Sequence, residues 1–189
     1  MVRKTTTAAI ISLLPVLLFA HGSHGNGVMS GFTHPILGMD HAIAIVGAGI
    51  LAYLVKPSQW YIPVAAFVGA MIVGGLLGIG NEATLAVEKT IASSVLIIGL
   101  LIIVRKRVNI AIAVVLMIIF GAVHGYAHGA EMDPSNTALK YVSGYTLGAF
   151  LMGTIGMLVA RGLSLLDNEM VLTIAGAIIA ALGVMILVG

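Results

Sequence analysis

The sequence predicts an all-α membrane protein, a polytopic bundle of about six transmembrane helices after an N-terminal signal peptide. Mean hydropathy is +1.14, and only 8% of the 189 residues are charged, whereas soluble domains carry roughly 25%. A chain this short and apolar requires the bilayer as its solvent. Because backbone in lipid must satisfy its own hydrogen bonds, apolar runs long enough to cross about 30 Å of hydrocarbon are helices. Apolar runs of this length, or nearly of this length, lie near residues 35–55, 61–79, 89–104, 109–128, 138–160 and 169–188.

The first 20 residues have the pattern of a secretory signal. Arg3 and Lys4 precede a short apolar stretch that ends near Ala20. Cleavage after Ala20 is predicted, although Leu18 is large for its position and an uncleaved anchor helix is the alternative. The predicted organisation is a signal peptide over 1–20, a His/Gly-rich periplasmic segment over 21–33, and a six-helix transmembrane domain over 34–189.

The basic residues predict how the chain is oriented in the membrane. Counting through the spans places Lys56, the run 105–107 and Arg161 in cytoplasmic loops, whereas Lys89 and Lys140 fall at outer ends. This bias follows the positive-inside rule. We therefore expect a multi-pass protein of the bacterial inner membrane, with the mature N-terminus and the C-terminus on the periplasmic side.

Composition and motifs exclude several classes of function. The chain has no cysteine, so thiolate metal sites and disulfides are excluded. Its basic residues are few and lie between apolar runs, so nucleic acid is not an expected partner. The sequence contains no His-Glu-x-x-His, Gly-x-Ser-x-Gly or Cys-x-x-Cys-His motif, and no nucleotide-binding motif. We expect neither an enzyme nor an organic cofactor, and a metal hydrolase built on the histidines described next is the one enzyme alternative.

The first polar cluster is His34, Asp40 and His41, at the outer end of the first span. Pro35 suits the first turn of a helix, and an ionisable residue inside a membrane helix is a functional candidate by default. In a regular helix His34 and His41 share a face but lie roughly 10 Å apart, too far to hold one ion. Either Pro35 and Gly38 distort the helix, or the two histidines act in succession. The structural alternative is that Asp40 caps or hydrogen-bonds a neighbouring helix.

The second polar cluster is His124, His128 and Glu131, at the outer end of the fourth span. His124 and His128 are four residues apart and share a helical face, a spacing that suits two imidazoles on one ion. Glu131 falls on the same face if the helix continues. A stripe of glycines at 121, 125 and 129 predicts a closely packed partner helix, whose ligands would lie near these histidines. The alternative is a pair of interfacial histidines that only form hydrogen bonds.

Three further residues are weaker metal-ligand candidates. His21 and His24 lie in the polar Gly/Ser segment and would collect metal, His21 also through its free amine after cleavage. A solvated tail explains them equally well. Glu82 lies in the outer loop after the second span, where an acid is ordinarily just solvated.

The two clusters resemble the motifs of the HupE/UreJ family of nickel and cobalt transporters. Its His-x5-Asp-His motif is matched by His34, Asp40 and His41. Its Phe-His-Gly-x-Ala/Val-His-Gly-x-Glu motif is matched over 124–131, with Val123 in place of the aromatic residue, a change expected to affect packing. The resemblance extends over almost the whole chain. It implies uptake of nickel or cobalt for enzymes such as hydrogenase or urease, or for cobalamin.

These observations predict a secondary permease for nickel or cobalt with an outer metal site of His34, Asp40, His41, His124, His128 and Glu131. Imidazole with carboxylate also suits zinc or copper. The alternative is an outward-facing receptor or metalloenzyme-assembly protein without transport. The expected partners are the metal substrate and the lipid bilayer, with a homo-oligomer or metalloenzyme maturation proteins as further candidates. The cytoplasmic halves of the spans carry no titratable residue, so serine and threonine hydroxyls at 93, 94, 143, 146 and 154 or glycine backbone would line the inner route.

Overall fold

The computed structural model describes residues 27–189, and within them the protein is all-α, as predicted. The signal peptide, its cleavage after Ala20, His21 and His24 lie outside the described residues. Two short 3-10 turns, at Pro57–Gln59 and Arg105–Arg107, join some of the helices. The helices are α1 Gly27–Leu37, α2 Met39–Val55, α3 Tyr61–Gly78, α4 Leu85–Ile103, α5 Ile110–Ala130, α6 Ala138–Ser164 and α7 Glu169–Val188.

Helices α3 to α7 are each long and apolar enough to cross a membrane, and α1 with α2 passes the same test as one bent pair. The protein is therefore a multi-pass membrane protein. Many large apolar side chains remain exposed on the bundle, including Leu76, Ile118 and Ile178. In a membrane they face the lipid, so α7, which buries few residues, lies at the edge of the bundle.

The first span differs from the predicted helix near 35–55, which placed Pro35 in its first turn. The helix begins by Gly27, so Pro35 lies in its last turn and not in its first. The chain then bends by 80° between α1 and α2, at Gly38, whose backbone is extended (φ −72°, ψ 104°). Pro35 has no N–H to continue the helical ladder, which weakens the helix just before the bend. The helix distortion at Pro35 and Gly38, one of the two alternatives that the sequence allowed, is therefore present.

The glycine stripe of α5 packs against the backbone of α3. A Cβ atom at Gly121, Gly125 or Gly129 would overlap the main-chain carbonyls of Phe67, Met71 or Gly75. Reciprocally, Gly74 and Gly78 of α3 lie against α5 carbonyls. This confirms the predicted close partner. The further expectation that the partner carries ligands is wrong, because α3 contains no His, Asp or Glu.

Glycine contacts also join the other main helix pairs. A Cβ at Gly31 would overlap the Tyr141 carbonyl, which places α1 across the first half of α6. Gly49 and Gly156 bring α2 and α6 together in the same way, and Gly99 brings α4 against α7. Helix α2 contacts α4, α5 and α6 and is buried along most of its length, so it is the central helix of the bundle.

At one end of the bundle a buried cation joins α4 to α7. Arg105, 6% exposed, donates hydrogen bonds to the Ile102 carbonyl (3.2 Å) and the Glu169 carbonyl (3.3 Å), and pairs with the Glu169 carboxylate. Lys106 lies 3.2 Å from the same carboxylate. The sequence indicated only that the charges at 105–107 orient the chain in the membrane. Arg105 also holds α4 and α7 together. We call this the arginine end, and the opposite end, at the bend between α1 and α2, the histidine end.

Substitution of Gly74 by alanine tests the glycine contacts. Because the new methyl group overlaps the Ala122 carbonyl, we expect Gly74→Ala to lower the free energy of unfolding by about 1–3 kcal/mol, as overpacked interiors do. Gly69→Ala on the same helix is the matched control, since nothing lies within 4 Å of its Cβ and alanine is the better helix former by about 1 kcal/mol. Thermal unfolding of the purified protein in detergent measures both. Equal melting temperatures for the two variants would contradict the packing of α3 on α5.

Candidate metal centre

Three helix ends bring all six predicted ligands together at the histidine end. Helix α1 carries His34, the first turns of α2 carry Asp40 and His41, and α5 ends in His124, His128 and, at its C-cap, Glu131. The bend at Gly38 makes this convergence possible, because it turns α1 back over α6 while α2 descends beside α5. A straight first span would have carried His34 away from α5.

Three of these residues form a cluster that is ready to hold a cation. One ligand atom each of His34, His128 and Glu131 lies within 4.8 Å of the others. The Nε2–H of His34 donates a 2.6 Å hydrogen bond to the Glu131 carboxylate. The side chains of His34 and Glu131 are 34% and 42% exposed, whereas His128 is fully buried. The cluster therefore opens to solvent on one side and to the protein interior on the other.

The four histidines of the described chain form one row. Ring centroids are 4.9 Å apart between His34 and His128, 4.5 Å between His128 and His41, and 5.1 Å between His41 and His124. His34 and His41 are thus linked through His128. The row leads from the half-exposed His34 to His124, which has no solvent-exposed surface.

The hydrogen bonds of the buried histidines leave their metal-binding nitrogens free. The Nδ1–H of His41 donates to Asp40 (2.9 Å), and the Nδ1–H of His124 donates to the Phe120 carbonyl (2.8 Å). In a neutral imidazole this leaves a lone pair on Nε2, and acceptors of this kind orient metal-binding histidines in general. Among the described residues, no protein group bonds to Nε2 of His41 or His124, or to either ring nitrogen of His128.

Asp40 accepts hydrogen bonds from both the backbone and the ring of His41. Its carboxylate accepts the main-chain N–H of His41 (2.8 Å), which has no helical partner in the first turn of α2. The same oxygen orients the His41 ring. Asp40 therefore combines the capping role that was the structural alternative with the support of a candidate ligand.

Aromatic side chains enclose the row. Tyr145 stacks on His128 (5.4 Å between centroids, 22° between planes) and donates its hydroxyl to the Met71 carbonyl (3.3 Å). Phe67 packs on His124 at 5.3 Å, and Tyr141 lies 6.0 Å from His34. The sequence alone did not indicate these aromatic residues as part of the site, since aromatic side chains in an apolar span ordinarily serve packing. The one available signal was the i, i+4 spacing of the two tyrosines on α6.

The row opens into a vestibule of about 900 Å³. Its walls include His34, Asp40, His41 and Glu131, and also Glu88 and Lys89 from the first turn of α4. Glu82, a weaker candidate, is exposed in the loop before α4 and is not among the lining residues. Among the acids of that region, Glu88 therefore faces the vestibule.

Glu131 supplies a negative charge where the row meets solvent. The hydrogen bond from His34 lowers the pKa of Glu131 below its usual range, against a smaller opposing effect of burial. The carboxylate therefore remains ionised at neutral and mildly acidic pH. It lies at the C-terminus of α5, where the helix dipole also favours a cation.

Comparison with known proteins gives the family of the chain. The model of the HupE / UreJ protein family matches residues 9–186. The chain belongs to the HupE/UreJ family. It is also 33% identical over 188 residues to the protein HupE of Rhizobium leguminosarum bv. viciae, covering 98% of each chain. No solved structure matches the chain. The row and the cluster thus describe a HupE/UreJ chain in three dimensions.

Metal binding at this site should weaken in acid because of the histidines, not because of Glu131. Protons compete with a metal for imidazole nitrogen, whereas the lowered pKa of Glu131 keeps its charge constant. Nickel affinity should therefore fall as the pH is lowered from neutral. Calorimetric titration of the purified protein measures it.

The Glu131→Gln variant separates the two groups. It should bind nickel more weakly at every pH and should still lose affinity in acid. A pH dependence that disappears in this variant would show instead that the carboxylate titrates.

Proposed function

We propose that this protein is a secondary permease that takes up divalent nickel or cobalt from the periplasm. The observation that carries the proposal is the preformed cluster of His34, His128 and Glu131, continuous with buried histidines inside a membrane bundle. Ionisable residues at such depth are costly and mark ion pathways. The HupE/UreJ motifs, matched at all six ligand positions, support the choice of metal.

The donor set favours a borderline transition metal. Neutral imidazole suits nickel, cobalt, zinc and copper, while a carboxylate lowers the cost of bringing a dication into low dielectric. With no cysteine in the chain, soft thiolate selection is absent. Nickel or cobalt is the proposed substrate, and no bound cofactor or catalytic chemistry is part of the proposal.

The membrane potential supplies the driving force in this proposal. A dication moving inward gains roughly 4–5 kcal/mol per 100 mV, at about 2.3 kcal/mol for each charge. Inward transport therefore needs no nucleotide-driven pump. The proposed location is the bacterial inner membrane, with the histidine end and the C-terminus facing the periplasm, because Lys56, Arg105 and Arg161 lie toward the opposite end.

The interior below His124 favours a second candidate function. The hydroxyls expected to line the inner route instead donate to carbonyls of their own helices, as Ser94 does to Ile91 and Thr154 to Phe150. The core there is apolar, with Met117 and Phe120 of α5. A receptor or assembly protein that binds metal without passing it would need no inner route.

Radiolabelled nickel and cobalt uptake in a transport-deficient bacterium distinguishes the two functions. We expect the wild-type protein to raise uptake above background, and His128→Asn to abolish it, because that residue belongs to both the cluster and the row. Glu82→Gln, at the same end but outside the vestibule, should transport like the wild type at equal membrane expression. Metal binding in detergent without any uptake would reject the permease and leave the receptor.

A further inference from the structure

We infer that the row of histidines contains two successive metal positions, an outer capture site and a buried transfer site, with His128 shared between them. The outer site is His34, His128 and Glu131, and the inner site is His41 and His124. The inference deepens the proposed function and rests on it. Nothing in the sequence motifs separates the six ligands in this way.

The outer position has the features of a capture site. Its three ligand atoms already converge, and two of its side chains reach the vestibule. The hydrogen bond between His34 and Glu131 joins the two groups that an ion would bridge. Because one ligand is a carboxylate, this site attracts a hydrated dication. With three ligands, the site replaces only part of the ion's water shell.

The inner position has different chemistry. His41 and His124 are buried, and each presents an Nε2 that no protein group satisfies. Leaving a buried polar atom unpaired costs about 1–3 kcal/mol. His128, His41 and His124 follow one another in the row and carry four such unpaired nitrogens. These nitrogens therefore imply a transient partner. Each inner ring is held in the binding tautomer by Asp40 or by the Phe120 carbonyl.

The ring spacing suits an ion shared by neighbouring imidazoles. With metal–nitrogen bonds of about 2.1 Å, two rings that share an ion have centroids roughly 4.5–5.5 Å apart. The row shows 4.5 Å between His128 and His41 and 5.1 Å between His41 and His124. His128 and His124 are one turn apart, about 6 Å along α5. An ion can thus exchange one imidazole at a time.

The two positions also differ in how complete they are. Among the described residues, only the outer set brings three ligand atoms within 4.8 Å, so the inner site lacks a converged third ligand. Conduction requires binding that is favourable enough for entry and weak enough for release. A converged outer site followed by an incomplete inner one meets both requirements. The inner site therefore passes the ion on and does not store it.

Paired measurements of binding and uptake test this assignment. Nickel is titrated into the purified full chain, and uptake is measured in cells, for Glu131→Gln and His124→Asn. Glu131→Gln should weaken equilibrium binding at least tenfold and raise the half-saturating concentration for uptake. His124→Asn should leave binding within about threefold but lower maximal uptake at least tenfold. Gly69→Ala, whose added methyl group has nothing within 4 Å, is the control and should change neither.

Cobalt absorption gives an independent readout. Cobalt bound to wild type and to His124→Asn should show the same spectrum, that of the outer site, whereas Glu131→Gln should change it. His41→Asn repeats the inner test if His124→Asn does not fold, as judged by size-exclusion chromatography.

The outcomes separate the inference from the proposed function. Equal weakening of binding by Glu131→Gln and His124→Asn would show one shared site, and unchanged maximal uptake in His124→Asn would remove the inner position from the route. Either result overturns the two positions while leaving the permease intact. A wild-type chain that binds nickel but transports none overturns the permease, and the transfer site with it.

Discussion

Close approach of helix backbones is the constraint on which this structure depends. Lipid is as apolar as the side chains that face it, so membrane helices associate through packing and not through exclusion of water. Here Gly121, Gly125 and Gly129 place α5 directly on the backbone of α3, and Gly31 places α1 on α6. These contacts fix the relative positions of the helices that carry His124, His128 and His34. The metal centre is a consequence of where glycine permits helices to touch.

The break at Gly38 is the second determinant of the site. A continuous first span would separate its two histidines by about two turns, roughly 10 Å. The 80° bend removes His34 from the axis of α2 and brings it to the outer side of His128, while His41 reaches the inner side. Asp40 completes the arrangement by accepting the His41 amide. Asp40 thus both stabilises the start of α2 and orients the His41 ring within the row.

Much of the fold follows from the sequence because hydropathy is a strong signal in membrane chains. The apolar runs predicted the five unbroken spans to within four residues at each end, and the glycine stripe identified a close partner helix. The path of the first span did not follow, since Pro35 is compatible with either the first turn of a helix or its last. Only packing of α1 on α6 selects the second. The six ligands were named from their spacing, but their order along the row depends on that bend.

The aromatic side chains around the row and the contacts of Arg105 with α7 could not be predicted from the sequence. Tyr145 stacks on His128 from the next helix along the chain, and no pattern within one helix reports such a contact. Arg105 carries information of two kinds, since its charge orients the chain while its guanidinium bonds across to Glu169. Spacing within a helix reveals shared faces, whereas contacts between helices depend on tertiary geometry.

The contacts between α4 and α7 have a mechanical consequence. Gly99 and Gly183 bring the two backbones together, and Arg105 joins their ends, so the pair resists both sliding and separation. The vestibule lies between this pair and the helices that carry the histidines. A movement of this wall of the vestibule would therefore carry α4 and α7 together and not one helix alone.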